Sequence, residues 1–135
     1  MLKQFWTNIK SIMVKVLIVD DKPSISKLIF QILSKSYDVA YKEDGLQAIA
    51  WLQAGNIPDL IITDLQMPNM DGFELIKRVK ESGLFRDIPI VVVSSKDSSA
   101  DRIKCLKMGA DDYVIKPFNP EELQIRVERI LKRQT

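Results

Sequence analysis

Short apolar runs alternate along this chain with segments whose apolar residues recur at helical spacing. VKVLIV, DLIIT and PIVVV are nearly continuous runs, the pattern of strands covered on both faces of a parallel sheet. The alternation predicts strands at 14–19, 38–42, 59–63, 89–94 and 112–116, and helices near 23–35, 45–54, 71–82, 97–108 and 119–133. Gly55, Gly83 and Gly109 fall where the second, third and fourth helices are expected to stop. Asn119 and Pro120 form an N-cap and first-turn pair for the fifth. Five strand–helix pairs in succession predict an α/β fold, a doubly wound five-stranded parallel sheet with strand order 2-1-3-4-5. No repeat, low-complexity tract or linker divides residues 13–135.

Five polar side chains sit at the ends of the predicted strands. Asp20 and Asp21 follow the first, Asp64 the third, Ser94 ends the fourth and Lys116 the fifth. Ligands of such sheets bind beyond the carboxyl ends, at the switch point flanked by strands 1 and 3. Three carboxylates converging there repel one another, by about 4 kcal/mol per pair at ~4 Å and an effective dielectric near 20. A bound cation offsets that cost, and an all-oxygen set with few protein ligands suits Mg²⁺. Asp21 and Asp64 are the expected direct ligands, with Asp20 acting through a metal-bound water. Each signal is weak alone: an Asp-Asp pair is usually a solvated turn, and a serine often satisfies a strand end. The ordered set carries the information.

That set, with the segment DLQMPNMDG over 64–72, resembles the receiver domain of two-component response regulators, a flavodoxin-like (βα)5 fold. The resemblance runs from about Met13 to Arg133, and the segment matches the family pattern D-x-x-M-P-x-x-D-G. It implies that Asp64 is the phosphoacceptor and that the backbone carbonyl of Gln66 completes the set around Mg²⁺, with Mn²⁺ as the alternative ion. Lys116 and Ser94 are implied to take phosphoryl oxygens, and Lys116–Pro117 to be a cis peptide. Tyr113 is expected to turn inward behind Ser94 on phosphorylation. Gln66 and Lys96 are expected to tune the rate of phosphate loss. The implied output surface is the fourth helix, fifth strand and fifth helix. The chain has no histidine, so the phosphoryl group is expected from a partner histidine kinase or histidine phosphotransfer protein. The implied protein is a switch that catalyses its own phosphorylation and dephosphorylation, not a metabolic enzyme. A receiver-shaped interaction scaffold working without phosphorylation is the alternative. A phosphohydrolase of the haloacid dehalogenase type wants D-x-D-x-T/V at the first strand, whereas this chain has Asp20, Asp21, Lys22 and Pro23.

The stretch from Gly109 to Phe118, with Arg126 and Val127, resembles the winged-helix transcription-regulator branch. Receivers of that branch dimerise through salt bridges, which here would pair Arg102 with Glu122, Asp112 with Arg126 and Asp111 with Arg133 across a two-fold. The bland reading is solvated helix charge, worth little. A downstream target protein is the other expected partner. The sequence stops at Thr135, so it is expected to carry no DNA-binding domain of its own and to be either a stand-alone receiver or the receiver portion of something longer.

Composition adds limits. With 46% hydrophobic and 28% charged residues in 135, a single globular domain is expected. The net charge of +2 is too small to imply nucleic-acid contact. No apolar run approaches the ~18 residues of a membrane span, and the single Cys105 excludes an internal disulfide, so a cytoplasmic protein is expected. Residues 1–12 precede the usual start. Leu2, Phe5, Trp6, Ile9, Ile12 and Met13 fall on one face of a predicted amphipathic helix. It is expected to dock on its own domain or on a partner, with membrane contact disfavoured because only Lys3 and Lys10 assist it.

Overall fold

The structure is a computed structural model and describes residues 2–4 and 14–133. Residues 2–4 are helical. The rest of the predicted N-terminal helix, with Phe5, Trp6, Ile9, Ile12 and Met13, lies outside the described residues. The order along the chain is β1 (Lys15–Val19), α1 (Pro23–Leu33), β2 (Asp38–Lys42), α2 (Gly45–Gln53), β3 (Leu60–Thr63), α3 (Gly72–Glu81), β4 (Ile90–Ser94), α4 (Ser99–Lys107), β5 (Asp112–Ile115) and α5 (Pro120–Lys132). The strands form one parallel sheet in the order β2-β1-β3-β4-β5. The predicted topology is the observed one, and element ends move by no more than two residues.

The alternation of side chains along the strands builds two cores. Leu17, Val19, Ile61, Ile90, Val92 and Tyr113 face α2, α3 and α4. Val16, Ile18, Leu60, Ile62, Val91, Val93 and Val114 face α1 and α5. β1, β3 and β4 are buried on both faces, which is why their sequences read as unbroken apolar runs. Fully burying each Leu, Ile or Val contributes about 1.5–3 kcal/mol. Cys105 is the buried anchor of α4, and burial pushes its thiol up to about 11.

Side chains cap α2 to α5. Asp44 accepts from the Gln47 N–H, Asp71 from Glu74, Ser98 from Asp101, and Asn119 from both Glu121 and Glu122. Gly55 and Gly109 follow α2 and α4 with φ of +104° and +111°, values that favour glycine. Gly83 does not play that part. α3 ends at Glu81, and Ser82 leaves the helix in extended conformation while its hydroxyl accepts from the N–H groups of Leu84 and Phe85.

Candidate functional site

Main-chain bonds that continue the parallel ladders past the strand ends place the site. The Asp20 N–H donates to the Lys42 carbonyl at 3.1 Å, Asp64 to Val19 at 3.0 Å and Lys116 to Ser94 at 2.8 Å. The carboxyl ends of β1, β3, β4 and β5 thereby bring Asp20, Asp21, Asp64, Ser94 and Lys116 to one rim. The Lys116–Pro117 peptide is cis.

Asp64 is 3% exposed. Its Oδ1 accepts from the Leu65 N–H at 2.7 Å, and its Oδ2 faces the Lys116 ammonium at 3.3 Å. Lys116 also donates to Asp20 Oδ2 at 2.9 Å, while Asp20 Oδ1 accepts from the Lys22 N–H at 2.8 Å. Burial pushes the Asp20 carboxyl above its ordinary value. The Lys22 N–H and Lys116 oppose that push.

Asp21 differs from its neighbours. Its Oδ1 is buried and has no hydrogen-bond partner. A carboxylate oxygen withdrawn from water without a partner is costly. One oxygen each from Asp20, Asp21 and Asp64 lie within 4.8 Å of one another. Three hard oxygen donors, with an orphaned oxygen on one of the three residues, fit a divalent cation, and these residues would hold it.

The loop after Asp64 is packed against the acceptor. A Cβ on Gly72 would lie 2.2 Å from the Asp64 carbonyl oxygen and 2.8 Å from Leu65 Cα, so only glycine fits. The Gly72 N–H closes the loop on the Leu65 carbonyl at 2.9 Å. Asn69 sits in the left-handed region at φ 65° and donates from Nδ2 to Asp44 Oδ2 at 2.8 Å. The Gln47 N–H and Asn69 together hold Asp44 below its ordinary value. Gln66 is exposed in this loop.

On the other side of the rim, Ser94 is fully buried and its Oγ accepts from the Lys96 N–H at 3.2 Å. Tyr113 is already inward, 8% exposed, with its hydroxyl donating to the Lys96 carbonyl at 2.7 Å. Burial pushes that hydroxyl up, against the Ser94 side chain beside it. Lys96 thus joins Ser94 to Tyr113 through its main chain.

The six charges considered for a dimer face are placed differently from the expected intersubunit pairs. Within one chain Arg126 forks onto both oxygens of Asp112 at 2.9 and 2.8 Å and donates to Glu122 at 2.8 Å. Arg102 pairs with Asp97 at 3.2 Å, and Asp111 accepts from the Ile90 N–H. Asp111, Glu122 and Arg133 line a shallow groove along α5. Pairing across a two-fold would require Arg102 and Arg126 to exchange partners.

Four polar residues at or beside the site were not singled out in the sequence. They are Lys22, whose Nζ lies 3.9 Å from Asp64 Oδ2, Thr63, which donates to the Asp64 carbonyl, and the pair Asp44 and Asn69. Only Asn69 carried a signal, as a turn residue between Pro68 and Gly72.

Residues 16–128 match the response regulator receiver domain family. The alkaline phosphatase synthesis transcriptional regulatory protein PhoP of Bacillus subtilis is 40% identical over 120 residues, covering 88% of this chain and 49% of that protein. The chain spans about half the length of the curated transcriptional regulators it matches. Among solved structures, the chemotaxis response regulator CheY4 of Vibrio cholerae superposes with a TM-score of 0.81 at 35% identity, covering 87% of this chain and 98% of that one. The Mn²⁺-bound form of response regulator Rcp1 superposes at 0.75 with 28% identity, covering 87% and 91%.

Proposed function

Because the chain belongs to the response regulator receiver domain family, a signalling family of two-component systems, we propose that it is a switch whose phosphoacceptor is Asp64. The observation that carries this reading is the pairing at Asp64: a buried carboxylate with one oxygen on a main-chain N–H and the other 3.3 Å from a lysine. The Leu65 N–H orients the carboxylate, and Lys116 stands where charge on a transferring group needs neutralising. The expected donor is a phosphohistidine of a partner kinase or phosphotransfer protein. The P–N bond breaks with its electron pair going to the imidazole, and a new P–O bond forms to Asp64. A bound divalent cation, expected to be Mg²⁺, supplies a Lewis acid for the phosphoryl oxygens. Asp20, Asp21 and Asp64 would hold it, with the Gln66 carbonyl as the expected further ligand.

The new group carries about two negative charges and three strong acceptors. Ser94, at the carboxyl end of β4, is the hydroxyl expected to respond, and the Ser94–Lys96–Tyr113 chain of bonds leads from it to β5. The switch is a shift in population between two packings of that face. A target protein or a second copy reads the change, with Gln66 and Lys96 setting how long the phosphoryl group lasts.

The test is incubation with a small-molecule phosphoryl donor and Mg²⁺, read by intact mass. Wild type should gain one phosphoryl group, and both Asp64→Asn and chelation of the metal should abolish the gain. A wild type that stays unmodified, or an Asp64→Asn protein modified to the same extent, sinks the reading. Light scattering with and without beryllofluoride decides between a homodimer and a separate target.

A further inference from the structure

α1 differs from α2 to α5 at its N-cap. Lys22 holds the N-cap position in extended conformation, with φ −99° and ψ 109°, and makes no side-chain cap. Lysine has no acceptor to offer the orphan N–H groups there. Its main chain is nonetheless tied down: the N–H donates to Asp20 Oδ1, and the carbonyl accepts from Ile25 and Ser26. The side chain turns to the site instead. Its Nζ lies 3.9 Å from Asp64 Oδ2, the oxygen that Lys116 faces at 3.3 Å. The Lys116 side chain is 9% exposed and that of Lys22 is 52% exposed. One cation is walled in, and the other stands at the mouth.

We propose that Lys22 is the charge-balancing residue of the site, competing with the divalent cation before phosphorylation and holding the phosphoryl anion afterwards. The inference rests on Asp64 being the acceptor. Before transfer, three carboxylates face two ammonium groups, and Lys22 screens the charge that draws a cation in. After transfer, Asp20 and Asp21 keep one negative charge each, and the phosphoryl group carries about two. A divalent cation and Lys116 leave one of those charges uncompensated, and Lys22 supplies the balance. Removing Lys22 therefore has opposite effects on the two ligands: the cation binds more tightly and the anion more weakly. A merely structural residue has no such signature.

The test compares wild type with Lys22→Ser and Lys22→Arg. Serine removes the charge and supplies the missing cap, so the fold is not put at risk. Mn²⁺ binding is followed by the loss of the free-ion paramagnetic resonance signal. Beryllofluoride binding is followed by ¹⁹F resonance at saturating Mg²⁺. At low salt Lys22→Ser should bind Mn²⁺ about three- to tenfold more tightly and beryllofluoride about three- to tenfold more weakly, both changes shrinking as salt is added. Lys22→Arg should track wild type in both. If Lys22→Ser moves both affinities the same way, or neither, while wild type takes up beryllofluoride, the charge-balancing role is overturned and Asp64 stands as acceptor. If wild type takes up no beryllofluoride, the acceptor reading itself falls.

Discussion

Two clusters of paired charge lie on this one sheet, and they differ in what surrounds them. At the carboxyl ends, Lys116 bridges Asp20 and Asp64 with all three side chains under a tenth exposed. On the outer side of β5 and α5, Arg126 bridges Asp112 and Glu122 with side chains between 26% and 56% exposed. The outer cluster is satisfied within itself, and the bonds from Asp112 and Glu122 hold the Arg126 guanidinium further up. The inner cluster is not satisfied: it leaves a buried oxygen of Asp21 bare. The same residue types thus give a self-contained surface feature in one place and an incomplete site in the other. Burial decides which, because water satisfies a charge left over at the surface, whereas the bare Asp21 Oδ1 is withdrawn from it.

The contrast is broken most severely at Asp64. Asp64→Ala should abolish phosphoryl acceptance while leaving the circular dichroism of the fold intact, since it also relieves repulsion among the three acids. Next comes Lys116→Met, which removes the buried ammonium between Asp20 and Asp64 and leaves only the half-exposed Lys22 near them. Its expected cost in chelator is about 3–5 kcal/mol by urea unfolding. Saturating divalent cation should recover part of the loss, because an ion that binds only the folded state stabilises it by mass action. Gly72→Ala forces a Cβ into the Asp64 carbonyl and should cost about 1–3 kcal/mol, with a parallel loss of phosphoryl acceptance because the acceptor's own backbone must shift.

Asp44→Ala sharpens the picture at smaller scale. It removes the α2 cap and the Asn69 bond and should cost about 1 kcal/mol. Asp44 is held below its ordinary value, so its contribution is present in full at neutral pH. It is lost as pH falls from the ordinary 3.8 through the lower folded value. The gap in stability between wild type and Asp44→Ala, followed by denaturant unfolding, should therefore narrow in acid. Smallest is Arg126→Ala, which should cost about 1 kcal/mol or less and less still at high salt, because water reaches it and both its partners. A cost as large as that of Lys116→Met would mean the two clusters are alike after all.

Much of this was legible along the chain. Asp20, Asp64 and Lys116 stand directly after apolar runs, and a residue directly after a buried strand in a parallel sheet has only the rim to occupy. The order 2-1-3-4-5 followed from five strand–helix repeats, since right-handed crossovers leave few alternatives. Gly83 misled because a glycine near a helix end reads as a left-handed stop, while here Ser82 leaves the helix and takes two N–H groups with its own hydroxyl. Lys22 was passed over because a lysine after two aspartates looks like surface charge.

By itself the sequence determined the elements, their order in the sheet and which side chains gather at its carboxyl ends, because periodicity and strand-end position are local properties that the sheet only repeats. Tertiary structure alone decided who pairs with whom. It set Arg126 on Asp112 and Glu122, Tyr113 on the Lys96 carbonyl and Lys22 opposite Asp64, and it left Asp21 Oδ1 without a partner. Apart from the i,i+4 pair of Arg126 with Glu122, those outcomes depend on distances of a few ångströms between separate segments of the chain, and on which of them exclude water.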